Sequence, residues 1–163
     1  MRGTRETYVI AAPDQGRLAF RLRKRETVGV PAPSVLIVDD DIDLAWITAE
    51  LLLQEGYDVR VARDGEEGLR LLRENMPDVL ILDVEMPLLD GPSVAKRMLV
   101  EDCGLEEIPV VLVSGIADLA AVARRVGTPY VLGKPFDVGR LLAMVRSALA
   151  ERRPPEPHPD VSA

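Results

Sequence analysis

The sequence predicts an α/β protein built on a doubly wound, five-stranded parallel sheet. Short apolar runs alternate along the chain with stretches of helical periodicity that are bounded by glycines, prolines and capping residues. The runs are continuously apolar, which is typical of strands buried on both faces, and strands separated by helices indicate parallel connections. The expected strands are Val35–Asp39, Asp58–Ala62, Asp78–Leu82, Pro109–Val113 and Tyr130–Leu132.

Five helices are expected between and after these strands. Gly56 is well placed to end the first helix, Pro92 to occupy the first turn of the third, and Asp137 to cap the fifth. The expected helices cover about Ile42–Glu55, Asp64–Asn75, Pro92–Gly104, Asp118–Val126 and Asp137–Ala150.

Composition narrows the classes of protein. The chain has 163 residues, enough for one domain with a core plus short extensions. No apolar run approaches the length of a membrane span, and no apolar segment follows the N-terminal arginines as in a secretory signal. The single cysteine, Cys103, excludes an internal disulfide and a cysteine-cluster metal site. We therefore expect a cytoplasmic protein without membrane association.

Charge divides the chain into an acidic body and a basic N-terminal part. Residues 34–150 carry a net charge of −10, and residues 1–33 carry +4. Phosphates repel an acidic body, so we expect no DNA binding by the core. A carboxylate-lined edge on such a body suits a cation. Contact between the basic arm and nucleic acid stays open as an alternative with little support.

The two ends of the chain are expected to lie outside the folded body. Within residues 1–33, Thr7–Ile10 can form a short strand and Leu18–Glu26 a basic helical turn or two, but the lack of a sustained period favours a mobile arm. Pro31–Pro33 is typical of a linker. The proline-rich tail, residues 151–163, is expected to be disordered.

Chemically useful side chains follow several of the predicted strands. Asp39 and Asp40 end the first strand, Asp83 ends the third, and Ser114 and Lys134 follow the fourth and fifth. The carboxyl ends of parallel strands share one edge of a sheet, where such folds bind ligands. Carboxylates that converge there repel one another unless a cation or protons intervene. Oxygen ligands without a nearby histidine or cysteine favour Mg²⁺.

Each of these residues also has a structural interpretation. Adjacent acids at Asp39–Asp41 can form a solvated loop, and one of them can cap the first helix. Lys134 can be a surface charge, although beside carboxylates it is better explained as an ion-pair partner that can bind a phosphoryl oxygen. Its bond to Pro135 can be cis, which would fix the direction of the lysine. Ser114 can cap a helix or donate a hydrogen bond to the same oxygen.

Four separate motifs resemble those of the receiver domain of two-component response regulators. Their order and spacing make the resemblance specific, and it covers about Ser34 to Leu149. It implies a flavodoxin-like fold with strand order 2-1-3-4-5. The motifs are Val-Asp-Asp-Asp at 38–41, Leu-Asp-Val-Glu-Met-Pro-Leu-Leu-Asp-Gly at 82–91, Val-Ser-Gly at 113–115 and Gly-Lys-Pro-Phe at 133–136.

The resemblance implies roles for the residues at the edge. Asp83 would accept a phosphoryl group and, with Asp39 and Asp40, hold Mg²⁺, Asp40 being the direct ligand. The backbone carbonyl of Glu85 would be a further ligand to the ion.

Lys134 would contact the phosphoryl oxygens, and Ser114 would be the hydroxyl that moves toward the phosphate. The donor would be a phosphohistidine. The single histidine of this chain, His158, lies in the proline-rich tail, so the donor must belong to another protein.

One position departs from the family pattern. Receiver domains usually carry Tyr or Phe three residues before the lysine, where this chain has Val131. Tyr130 comes one residue earlier, and neighbours on a strand point to opposite faces, so we do not expect Tyr130 to replace the missing aromatic. The short interval from Ser114 to Lys134 also suggests a trimmed fourth helix, which disfavours a dimer through that face.

The resemblance implies that a sensor histidine kinase or a histidine phosphotransfer protein docks on helix 1 and on the loop between strand 5 and helix 5.

A plausible core stripe on helix 1 consists of Leu44, Ile47 and Leu51. Trp46 and Leu53 lie off that stripe. Trp46 either packs against its own domain or forms an exposed apolar patch for the partner.

We therefore expect a phosphoacceptor that signals through protein contact or onward phosphotransfer to an unidentified downstream protein, since no output domain is expected after helix 5. It is not expected to be a substrate-turnover enzyme. A receiver-like interaction module that acts without phosphorylation is the alternative, slightly favoured by Val131. An aspartyl-phosphate phosphatase is disfavoured, because Val84-Glu85 does not supply a second aspartate two residues after Asp83.

Overall fold

A computed structural model of the chain describes residues 9–10, 20–23, 31–101 and 104–157. These residues form one mixed sheet with helices on both of its faces. The strands are β1 Val9–Ile10, β2 Phe20–Arg23, β3 Ser34–Val38, β4 Asp58–Ala62, β5 Val79–Asp83, β6 Val110–Ser114 and β7 Tyr130–Gly133. The helices are α1 Ile42–Gln54, α2 Gly65–Glu74, α3 Gly91–Val100, α4 Leu119–Val126 and α5 Val138–Glu151, with a short 3₁₀-helix at Leu105–Glu107.

The parallel part of the sheet confirms the predicted topology. Strands β3 to β7 are parallel and lie in the order β4-β3-β5-β6-β7, which is the order 2-1-3-4-5 of the five predicted strands. Val35 of the central strand β3 is paired with Val59 on one side and with Val79 on the other. This register brings the carboxyl ends of the five strands to one edge.

The first two strands are an addition to the predicted sheet. β2 runs antiparallel to β4, with Phe20 opposite Val61, and β1 pairs with β2 in turn. The helical interpretation of Leu18–Glu26 is therefore wrong at residues 20–23. The Phe-Arg-Leu-Arg alternation has the period of a strand, and the edge of β4 offers unpaired backbone groups to such a strand.

Two apolar layers cover the sheet, one on each face. Alternate residues of each strand point to opposite faces, so Leu36 and Val38 contribute to one layer and Val35 and Ile37 to the other. Helices α2, α3 and α4 pack on the first layer, and α1 and α5 pack on the second. The predicted doubly wound arrangement is thereby confirmed.

An aspartate caps the N-terminus of each of the five α-helices. In each case its carboxylate accepts a hydrogen bond from the backbone N–H three residues later. The capping residues are Asp41, Asp64, Asp90, Asp118 and Asp137. Helix α3 ends at Val100, earlier than the predicted end near Gly104, and the 3₁₀-helix follows Gly104.

Helix α1 buries a different face from the one predicted. The predicted stripe is wrong, because Ile47 is 57% exposed, and Leu44 and Leu51 are only partly buried. Small side chains on the true inner face allow the helix to lie close to the sheet. The buried residues are Ala45, Thr48, Ala49, Leu52 and Leu53. Trp46 is partly buried against this layer, so it packs on its own domain.

Part of the C-terminal tail packs on the domain, in contrast to the disorder that we expected. The Glu156 N–H donates to the Gly127 carbonyl over 2.9 Å, and the Arg153 N–H donates to the Tyr130 hydroxyl over 3.3 Å. Pro155 is buried. Prolines thus restrict this segment without preventing it from packing. Among the described residues, no helix combines the length and apolar character that crossing a bilayer requires.

Gly127→Ala should destabilise the fold and release the tail. Gly127 has a φ of +82°, and an added Cβ would lie 2.0 Å from the Glu156 carbonyl carbon. Gly56 is a matched control, because its φ is +95° but its Cβ would meet no atom within 4 Å. Left-handed backbone alone costs about 1–2 kcal/mol. We expect a larger loss in unfolding free energy for Gly127→Ala than for Gly56→Ala, and loss of hydrogen-exchange protection at the Glu156 amide. Equal losses with the amide still protected would contradict the packing of the tail.

Candidate functional site

The register of the sheet brings the predicted site residues to one edge. Asp39 follows β3, Asp83 is the last residue of β5, and Ser114 is the last residue of β6. Asp83 is paired with Val113, one residue before Ser114, and Ser114 is paired with Gly133, one residue before Lys134. Residues far apart in the sequence therefore lie side by side.

Lys134 joins the two buried carboxylates of this edge. Its Nζ donates hydrogen bonds to Asp39 Oδ2 over 2.9 Å and to Asp83 Oδ1 over 3.1 Å. Asp39 is 6% exposed and Asp83 is 4% exposed. The Lys134–Pro135 peptide bond is cis, one of the forms that the sequence allows. The lysine is therefore an ion-pair partner at the edge, and the surface-charge interpretation is wrong.

The three carboxylates are close enough to share a cation. Asp39, Asp40 and Asp83 each offer one oxygen, and these oxygens lie within 4.8 Å of one another. The backbone N–H of Asp41 donates a hydrogen bond to Asp39 Oδ1 over 2.9 Å. Asp40 is exposed to solvent. Hard oxygen donors at this spacing fit a metal ion of the Mg²⁺ type, and the exposed side of the cluster gives such an ion a route in.

The environment of Asp83 disfavours its negative charge. Burial, followed by repulsion from Asp39, raises the pKa of Asp83 from 3.8 to about 6, although the hydrogen bond and charge of Lys134 act in the opposite direction. Burial also acts against the charge of Lys134. Its hydrogen bonds and attraction to Asp39 and Asp83 outweigh that effect and raise the pKa of the amine. The charge of Lys134 therefore does not fully compensate the carboxylates at this edge.

Ser114 is held by a contact that the sequence did not predict. Its hydroxyl donates to Glu85 Oε2 over 3.2 Å, and the Ile116 N–H donates to the same hydroxyl oxygen over 3.2 Å. Ser114 itself is buried. The sequence pointed only to the backbone carbonyl of Glu85, because the contact of its side chain depends on the pairing of β5 with β6.

Gly91 is a further residue of the site that the sequence did not single out for this role. A Cβ at this position would lie 2.3 Å from the Asp83 carbonyl oxygen, and the Gly91 N–H donates to the Val84 carbonyl over 3.1 Å. The start of α3 therefore sits directly on the backbone of Asp83. Only glycine allows α3 to begin this close to the backbone of Asp83.

Tyr130 and Val131 lie on opposite faces of the sheet, as predicted. Tyr130 is buried in the layer that faces α1 and α5, whereas Val131 packs against the layer that faces α2, α3 and α4. The hydroxyl of Tyr130 accepts from the Arg153 N–H of the tail. Tyr130 thus cannot occupy the position of the aromatic residue that Val131 replaces.

Asp83→Asn should stabilise the metal-free protein at neutral pH. Because the pKa of Asp83 is raised to about 6, the native state holds more protons than the unfolded state between about pH 4 and 6. Wild-type stability therefore falls, relative to the variant, as the pH rises through this window. We expect the variant to be more stable by about 1–3 kcal/mol at pH 7.5 and by little at pH 4, measured by urea unfolding in chelator.

Saturating Mg²⁺ should reverse the order by stabilising the wild type more than the variant, since the ion binds the native carboxylates. A variant that is less stable than the wild type at pH 7.5 in chelator would contradict the charge imbalance at this edge.

The family model of the response regulator receiver domain matches residues 35–146. The transcriptional regulatory protein PrrA of Mycobacterium tuberculosis is 37% identical over 126 residues, which cover 76% of this chain and 53% of PrrA. The chain thus spans about half the length of this relative.

Solved structures agree with the family match. Vibrio cholerae chemotaxis protein CheY4 is 28% identical with a TM-score of 0.66, and the alignment covers 71% of this chain and 97% of CheY4. The receiver domain of NtrX from Brucella abortus is 29% identical with a TM-score of 0.65, covering 71% and 98%. With its acidic edge, its strand order and this match over most of its length, the chain belongs to the response regulator receiver domain family of two-component signalling.

Proposed function

We propose that Asp83 accepts a phosphoryl group from a phosphohistidine of a partner protein, with Mg²⁺ bound at the same edge. The observation that carries this proposal is the Lys134 amine, which bridges Asp39 and Asp83 while Asp40 completes the acidic cluster. A buried carboxylate that sits beside both a cation and a metal-type donor set is suited to phosphoryl transfer, because such transfer depends on charge neutralisation and positioning.

In the proposed transfer, a carboxylate oxygen of Asp83 forms a bond to phosphorus while the phosphorus–nitrogen bond of the donor breaks. The electron pair of that bond stays on the imidazole nitrogen, which takes up a proton. Lys134 is within reach to hold a phosphoryl oxygen, and its contact with Asp39 keeps the amine at the edge when Asp83 is esterified. Mg²⁺ would be held by Asp39, Asp40, Asp83 and the Glu85 carbonyl. The ion would offset the negative charge of the phosphoryl group.

The receiver family is not a family of metabolic enzymes. We propose that the chain takes part in its own phosphorylation and signals by protein contact or onward phosphotransfer. The alternative is an interaction module that acts without phosphorylation, and Val131 is the feature that favours it. The assembled Asp39–Asp83–Lys134 contacts favour the phosphorylated form, since an interaction surface does not require two carboxylates to be buried together.

Membership of the family implies a histidine kinase as a partner. We propose that it docks on α1 and on the loop between β7 and α5. Trp46, the residue that the sequence suggests for this contact, is partly buried against its own domain. Exposed apolar side chains on the same elements are better placed: Ile42 and Ile47 on α1, and Val138 at the start of α5. We propose that these three residues contribute to one docking surface, here called the α1–α5 surface.

The division of the chain also belongs to this proposal. Residues 34–150 form the receiver domain, and we propose that this acidic body acts in the cytoplasm without binding DNA itself. The basic extension of residues 1–33 and the tail of residues 151–163 flank it. PrrA is named as a transcriptional regulatory protein, but the match covers only about half of its length.

Incubation with acetyl phosphate and Mg²⁺ should add the mass of one phosphoryl group to the intact protein. Asp83→Asn should abolish the adduct, because the amide is not a nucleophile of this kind. Asp118→Asn is a matched control, since Asp118 caps α4 and asparagine caps a helix equally well. Intact-protein mass spectrometry measures the outcome. A folded wild type without an adduct would favour the interaction module, and an adduct that persists in Asp83→Asn would place the phosphate elsewhere.

Ile47→Ser should weaken phosphotransfer from the cognate kinase by about tenfold while labelling by acetyl phosphate stays unchanged, because an exposed anchor contributes to docking rather than to the chemistry. Val100→Ser is the matched control, since Val100 is also exposed but lies on α3. Transfer rates at several receiver concentrations separate docking from chemistry. Equal effects of the two variants would refute the α1–α5 surface.

A further inference from the structure

We propose that the Glu85 carboxylate is a positioning residue that holds the Ser114 hydroxyl until a phosphoryl group on Asp83 displaces it. This inference rests on the proposed function and adds a competitor for the hydroxyl. The contact that carries it is the hydrogen bond from Ser114 Oγ to Glu85 Oε2, 3.2 Å long. The sequence indicated a role only for the backbone of Glu85.

The Ser114 hydroxyl has no proton left to donate to another acceptor. A hydroxyl has one proton, and Ser114 donates it to Glu85. The Ile116 N–H fills an acceptor site on the same oxygen. Ser114 therefore cannot donate to a phosphoryl oxygen unless it first breaks its bond with Glu85. Since a charged acceptor makes a stronger hydrogen bond than a neutral one, breaking the bond to the Glu85 carboxylate costs free energy that the bond to the phosphoryl oxygen must offset.

The two partners differ in their freedom to move. Ser114 is 1% exposed, whereas Glu85 is exposed and lies on the loop after β5. If the bond breaks, the glutamate can turn into water and regain its hydration, and the buried serine remains at the edge. The exposed partner thus leaves, and the buried partner stays for a new acceptor.

The charge of a phosphoryl group on Asp83 favours the displacement of Glu85 from Ser114. Glu85 is two residues from Asp83, and its carboxylate lies outside the cluster formed by Asp39, Asp40 and Asp83. A phosphoryl group on Asp83 carries up to about two negative charges where the carboxylate carried one, so it adds about one negative charge next to this loop. Because Mg²⁺ would offset much of this charge, the displacement depends mainly on the phosphoryl oxygen, which offers the buried Ser114 hydroxyl a second charged acceptor.

A double-mutant cycle on the full chain tests this competition. Its four proteins are the wild type, Glu85→Ala, Ser114→Ala and the double variant. The probe is beryllofluoride with Mg²⁺, an analogue of the phosphoryl group, and calorimetry gives its affinity. Glu85→Ala should raise the affinity more with Ser114 present than in the Ser114→Ala background. We expect the two gains to differ by about threefold to tenfold, the size of one hydrogen bond to a partly solvated charge.

Controls separate the possible outcomes. Glu107→Ala removes an exposed carboxylate at the opposite end of β6 and should leave the affinity unchanged. If Glu85→Ala does not fold, Glu85→Gln replaces it in the cycle with a smaller expected difference.

Equal gains in both backgrounds would overturn the role of Glu85, because its effect would not pass through Ser114. A wild type that binds the analogue no better than Asp83→Asn would instead refute the proposed function itself, and this inference with it.

Discussion

The structure depends on one unfavourable juxtaposition, in which two buried carboxylates are held at the same edge of a sheet. Asp39 and Asp83 repel each other, and the Lys134 amine lies between them and offsets part of that repulsion. A single lysine does not neutralise both acids and the neighbouring Asp40. The edge therefore has three carboxylates that could hold a further cation.

The rest of the fold supplies the free energy that maintains this arrangement. Buried apolar side chains cover both faces of the parallel strands, and the register places the two acids and the lysine without flexible intermediates. Gly91 adds a close contact between α3 and the Asp83 backbone. A site that is strained by charge and held on rigid strands can respond to a small change in charge, because its surroundings do not relax to absorb that change.

The sequence predicts those parts of the structure that follow from local patterns and from the rules of parallel sheets. It does not predict the parts that depend on specific tertiary packing. Asp83 and Lys134 could be placed because each ends an apolar run, and parallel strands bring such ends together. Phe20–Arg23 forms a strand where the sequence suggests a helical turn, since such a short segment becomes a strand only when the edge of β4 offers partners. The contact between Ser114 and Glu85 had no sequence signal, because it depends on the pairing of two strands and on one side-chain rotamer. The α1 stripe was wrong because several helical faces carry apolar residues, and packing against the sheet selects among them.

The most direct test of this account is to locate the cation. Crystals grown with Mn²⁺ in place of Mg²⁺ should show an anomalous peak among the carboxylates of Asp39, Asp40 and Asp83, since both ions prefer oxygen ligands in similar geometry. We expect this peak to be lost in crystals of Asp83→Asn. No peak at saturating Mn²⁺, or a peak only at another acidic surface, would contradict it.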